Sequence, residues 1–197
     1  MRHSVPFVAS LALAACAGKV DYLRPTSQAS PAANVKTVDR SREAVWNAAV
    51  PELSKQFFVI NNIDKSSGLI NISYSGDPEK YIDCGWITSY VKNAQGERTY
   101  NFAGAKGQQN YEILNPGVGL FLIDRRMSLE GRVNLVFEEL SPTQTKVTAN
   151  TRYAVQRSQH IRSLSNRNSP QSRTDSISFN SGSSASFPTT ADGGAAE

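Results

Sequence analysis

Histidine and cysteine are scarce here, two of each in 197 residues, and that scarcity removes much of the usual catalytic chemistry. His3 and His160 stand far apart, as do Cys16 and Cys84, so no set of them has zinc-site spacing. There is no glycine-rich loop of the phosphate- or dinucleotide-binding kind, and no serine sits in a G-x-S-x-G elbow. No cofactor, metal ligand or catalytic residue is therefore assigned, and the chain reads as non-enzymatic. No apolar run approaches the roughly 20 residues that a membrane-spanning helix needs. Charge of either sign is also in short supply as an excess: the net value is +4, or +3 without Arg2. That surplus aids solubility and does not call for nucleic acid.

What is present begins at the N-terminus. Arg2 supplies a positive start, Val5 to Ala15 is a short apolar run, and Ala12, Ala14 and Ala15 are the small side chains a signal peptidase accommodates. The run closes on Leu13-Ala14-Ala15-Cys16, which resembles the lipobox of bacterial lipoproteins. The resemblance implies that residues 1–15 are removed and that Cys16 becomes the first residue and carries acyl chains. Each buried methylene of such a chain contributes about 0.8 kcal/mol, so two or more chains hold a protein that one holds only reversibly. Lipoproteins kept at the inner membrane usually have Asp after the cysteine. Ala17 and Gly18 follow here, so the resemblance implies export to the outer membrane, and the body is expected to face the periplasm. The alternative is an ordinary signal peptide ending Ala12-Leu13-Ala14, with Cys16 free.

Residues 16–37 are expected to form the acylated cysteine and a flexible tether, since Pro25, Pro31 and many small residues bring little apolar surface to bury. Residues 182–197, rich in Ser, Gly, Ala and Thr, are expected to be a disordered tail. Between them, residues 38–181 make one domain by length. With Cys16 acylated, Cys84 has no partner in the chain and is expected to be buried as a small hydrophobe.

Within the domain, Ser41 is a helix N-cap with Glu43 in the first turn, and Val45, Trp46, Ala49, Val50 and Leu53 recur at helical spacing. Pro51 predicts a kink or split near Asn47. Phe57 to Ile60 and Leu69 to Tyr74 read as a hairpin turning at Asp64 to Gly68. Tyr81 to Val91 reads as extended, and Asn93 to Gly107 as a long excursion with a short strand at Thr99 to Phe102. Tyr111 to Leu114 and Gly119 to Ile123 flank a turn at Asn115-Pro116-Gly117. Met127 to Leu140 alternates apolar and polar residues, turns at Ser141 to Gln144 and returns as Lys146 to Val155, a long antiparallel hairpin. Asp175 to Asn180 suits a last strand. The fold class expected is α+β: an antiparallel sheet with one N-terminal helix packed on one face, and disordered terminal segments.

Three polar groupings need a reading. Asp77, Glu79 and Asp83 are assigned to capping and solvation, and Asp124-Arg125-Arg126 to a loop with local ion pairs. Arg157, Arg162, Arg167 and Arg173 lie in a stretch with no acid before Asp175. They make either a solvated loop or, through Arg157, Arg162 and Arg167, an arm touching anionic surfaces.

Ser41 to Trp46 opening a helix, Phe57-Phe58-Val59 after it, then Ile63-Asp64, Gly68-Leu69-Ile70 and Ile72-Ser73-Tyr74 together resemble the BamC-like lipoproteins, whose helix-grip domains lay a helix on an antiparallel sheet. The resemblance implies a non-catalytic accessory or scaffolding role in envelope assembly, with envelope proteins as partners. A second possibility is a periplasmic protein that takes a lipid or small apolar ligand between helix and sheet.

Overall fold

The alternation read in Met127 to Leu140 extends much further than those residues. The computed structural model describes residues 16–26, 34–56, 58–164 and 170–188. In it, strand β8 (Gly119–Ser141) buries Ile123, Arg125, Met127, Leu129, Gly131, Val133 and Phe137 on one face and exposes Arg126, Ser128, Arg132, Asn134 and Glu138 on the other. It pairs antiparallel with β9 (Gln144–Ser163) from Phe121↔Ser163 to Ser141↔Gln144. This hairpin is the spine on which the other elements are laid.

Before the spine come β1 (Ala17–Leu23), β2 (Val35–Val38), α1 (Arg42–Lys55), β3 (Val59–Asp64), β4 (Leu69–Gly76), a 3-10 turn at Pro78–Lys80, β5 (Trp86–Asn93), β6 (Gly96–Ala103) and β7 (Gln108–Asn115); β10 (Gln171–Asn180) follows it. The large sheet has the order β10-β9-β8-β4-β3, with β2 on β9 and β7 on β8. A second sheet has the order β1-β5-β6. Because β8 is so long, two different strands share one of its edges. β7 takes Gly119 to Arg126, and β4 takes Leu129 to Val136.

The spine therefore passes through two interiors. In the distal half, towards the β8–β9 turn, α1 lies over the dry face of the sheet. Ser41 Oγ accepts a bond from the Ala44 amide at 3.4 Å, and Trp46 is the buried residue of the helix. Its ring meets Phe137 edge-on at 5.2 Å, and Ile70, Ile72 and Val133 complete that core. In the other half the β1-β5-β6 sheet packs against β7, β8 and β9 around Ile87, Phe102, Tyr111, Ile113 and Ile123. This half is a β-sandwich. A third cluster, Met127, Leu129, Val155 and Phe187, joins the two.

Strand accounts for 64% of the structure and helix for 11%, so the chain is mainly β and the expected α+β, helix-grip class is corrected. Three segments make the difference. Ala17–Leu23, expected in the tether, is a strand in which Gly18, Val20 and Tyr22 face inward while Lys19 and Asp21 face out. The excursion is β6, with Arg98, Tyr100 and Phe102 turned inward. The arginine stretch continues β9 as far as Ser163 and then supplies β10. Each has period two, but in β6 and β10 polar residues fill many inward positions and in β1 the alternation is short, so the apolar signal of a strand is weak. The disordered-tail expectation is corrected over residues 182–188, where Phe187 is packed at 2% exposure. Helix α1 is one helix from Arg42 to Lys55 with Pro51 inside it, so of the expected kink or split the split does not occur.

Asp64 and Gly68 make the β3–β4 turn. Asp64 accepts bonds from the hydroxyls and amides of Ser66 and Ser67, which hold its carboxyl down at about 2. Gly68 has φ +68°, and a Cβ there would run into the Phe137 carbonyl, so the turn requires glycine.

Candidate functional site

Cys16 is exposed and bears a free thiol in the structure, directly ahead of β1. Its position follows from strand register. Ala17 pairs with Lys92, which puts Cys16 level with Asn93 at the β5–β6 turn. Gly18 is inward-facing and so close to Leu114 that a Cβ would overlap that residue's carbonyl. Leu114 in turn pairs with Leu120 across the β7–β8 turn, and the Leu164 amide bonds to the Leu120 carbonyl at 2.7 Å. Cys16, both turns and the end of β9 thus share one extremity of the sandwich half.

The charges near Cys16 are matched. Lys19 meets Asp21 at 2.8 Å, Lys92 meets Glu97, and Arg98 meets Glu112 at 2.7 Å. Glu97 accepts from Lys92 and then from Tyr90, which lowers its carboxyl; the same bond raises Lys92. The two exposed pairs, at Lys19 and Lys92, add little stability, and Arg98–Glu112 is partly buried; together they compensate Asp21, Glu97 and Glu112.

Arg157 and Arg162, two of the three arginines considered for an anionic surface, face opposite sides of β9. Arg162 is exposed on β9, and Arg167 lies outside the described residues. Arg157 is buried at 2% exposure, which corrects its assignment to a surface. It donates to Asp175 at 3.0 Å and to the Pro188 carbonyl at 3.3 Å, and its guanidinium lies 4.5 Å from the centre of the Phe187 ring. Burial opposes ionisation of Asp175, but bonds from Arg157 and then Arg173 outweigh it and hold the carboxyl below its ordinary value. Arg125, assigned to a loop, is fully buried on β8 and donates to the Gly104 carbonyl. Sequence reasoning missed this interior. The available signal was parity, since Arg125 and Arg157 occupy the inward positions of their strands.

Of the remaining candidates, Glu79 is exposed and the others make local contacts. Asp77 caps the 3-10 turn through the Glu79 amide at 3.3 Å, and Asp83 takes the Gly85 amide at 2.8 Å. His160 shares a bond with Ser172 at 2.9 Å on the surface. Cys84 is partly buried against Met127, Val155 and Phe187 rather than enclosed. The space between α1 and the sheet, considered for a ligand, is filled by Trp46 and its neighbours. Cavities of about 480, 600 and 750 Å³ open elsewhere, and none of these three has an α1 residue in its wall. Among the described residues, no group of three or more His, Cys, Asp or Glu side chains is placed to hold a metal ion.

No protein-family model, curated protein or solved structure matches this chain.

Proposed function

We propose that this chain is a bacterial lipoprotein, acylated on Cys16 after removal of residues 1–15, that serves at the periplasmic face of the outer membrane as a non-catalytic accessory or scaffolding module for envelope proteins. The observation that carries the reading is the juxtaposition at residue 16. A short apolar run with small residues at its end meets a cysteine, and that cysteine is exposed at an extremity of the fold where a peptidase and an acyltransferase have access. Residues 1–15 themselves lie outside the described residues. Among the described residues no helix is long and apolar enough to cross a membrane, so in this reading the acyl chains supply the attachment. The scaffolding role rests on the anchor and on carboxylates and histidine already engaged in turns and strand pairs. It does not rest on the helix-grip resemblance.

The test is fractionation of a bacterium expressing residues 1–197, compared with Cys16→Ser, together with the mass of the N-terminal peptide. The parent is expected in the outer-membrane fraction with a diacyl or triacyl mass on Cys16, and the variant in the soluble fraction. A mature peptide lacking acyl mass, or a variant that stays with the membranes, would overturn the reading.

A further inference from the structure

Because β1 starts at Ala17, a lipid on Cys16 would have no slack beneath it. The body would be tied to the bilayer at the first residue of a strand that pairs with β5 along its whole length. The same extremity presents two large apolar side chains to water: Val118, at 69% exposure on the β7–β8 turn, and Leu164, at 48% exposure just beyond β9. The turn holding Val118 is closed by its own amide, which donates to Asn115 at 3.0 Å, and Leu164 is fixed to Leu120 by its amide. The acids nearest Cys16 are each paired with a cation, and Arg162 points outward with no ion pair among the described residues. Exposed apolar tips, paired acids and an outward arginine form a surface suited to phospholipid headgroups and the upper acyl region.

We propose that this extremity, with Val118 and Leu164 as its apolar contacts, docks on the bilayer that holds the acyl chains, so that the hairpin stands away from the membrane and the helix-bearing half projects into the aqueous space. Leu140, exposed beside the β8–β9 turn, marks the opposite extremity. At about 3.3 Å per residue, the strand between them sets a separation of up to roughly 73 Å from Val118. The inference rests on acylation of Cys16 but adds an orientation that acylation alone does not dictate.

The test uses full-length acylated protein purified from a bacterial host and reconstituted into phosphatidylethanolamine–phosphatidylglycerol vesicles. In a Cys84→Ala background, Val118→Cys, Leu164→Cys and Leu140→Cys each receive an environment-sensitive fluorophore. Lipids carrying a spin label near the headgroup are expected to quench positions 118 and 164 at least twofold more than 140, and aqueous iodide to show the reverse order. Hydrogen exchange on the unsubstituted acylated protein gives a second reading, with the Val118 amide slowed on vesicles and the amides of the β8–β9 turn unchanged. If mass spectrometry shows the acyl chains and yet 118 and 164 are as open to iodide as 140, with exchange at Val118 unaltered, the docking surface is wrong while the anchor stands. If the purified chain carries no acyl mass, the anchor fails and the orientation falls with it.

Discussion

Along one face of β8, Val133 and Phe137 meet a helix that brings Trp46, whereas Ile123 and Arg125 meet a second sheet. The first interior is built from aliphatic and aromatic side chains, with one buried hydroxyl, Thr145, donating to the Arg40 carbonyl at 2.8 Å. The second and its border with the third cluster admit Arg125, Arg157, Gln159 and Ser89 at 9% exposure or less. Burial of apolar area stabilises wherever the pieces fit. A buried guanidinium stabilises nothing unless a carboxylate or carbonyl is brought to it, and its desolvation then offsets much of the gain. Both halves have an apolar core, and the sandwich half adds to its own a set of buried polar arrangements that are costly to break.

The largest effect expected is on the helix half. Trp46→Ala removes the buried side chain of α1 and should cost about 3–5 kcal/mol in urea unfolding. Since β8 and β9 run through both interiors, the variant should unfold in one transition, with Trp86 in β5 reporting the same midpoint as circular dichroism. Separate transitions would show that the halves are independent and would break the comparison.

Asp175→Asn addresses the other half and comes next. It leaves the buried Arg157 without its carboxylate and should cost about 3 kcal/mol, since breaking a buried pair by removing one partner exposes the desolvation of the other. The same residue predicts a pH effect. The folded carboxyl binds its proton less readily than the unfolded one, so the pair's contribution is full above roughly pH 4 and is lost as pH falls through the folded-state value. The acid limb of the stability curve should therefore be shallower in Asp175→Asn than in the parent. Equal slopes would mean that Asp175 does not govern this half at low pH.

The smallest effect is expected at the seam between the interiors. Tyr74 lies across Gly131 so closely that a Cβ would strike its ring, while burial and then the Tyr153 hydroxyl raise its phenol above the usual value. Gly131→Ala should cost about 1–3 kcal/mol by displacing that ring. Differential scanning calorimetry would detect it, and an unchanged melting temperature would show that the ring moves aside freely.

The helix half was legible in the chain because its signals are local. Ser41 as cap, the apolar spacing through Leu53 and the Asp64 to Gly68 turn each act over a few residues, and the structure has the cap, the buried Trp46 and the β3–β4 turn. The sandwich half was not legible, since its strands turn residues such as Arg98, Ser89 and Arg157 inward, to partners 14, 23 and 18 residues away. In β1 the alternation of Val20 and Tyr22 with Lys19 and Asp21 was present but short, and proline-rich neighbours concealed it. At the candidate site, Cys16 was found from residues beside it, whereas its neighbourhood with Val118 and Leu164 arises only when β1, β7 and β9 are assembled.

By itself the chain determined the capped helix, the long alternating hairpin and the cysteine that ends an apolar run, because each depends on periodicity or on adjacent side chains. Tertiary structure alone decided that the protein is mainly β, that Arg157 belongs to the interior and that Cys16 sits directly ahead of a strand. Those outcomes turn on which distant strand supplies a backbone or charge partner, and a polar residue carries no mark of whether that partner will be water or protein.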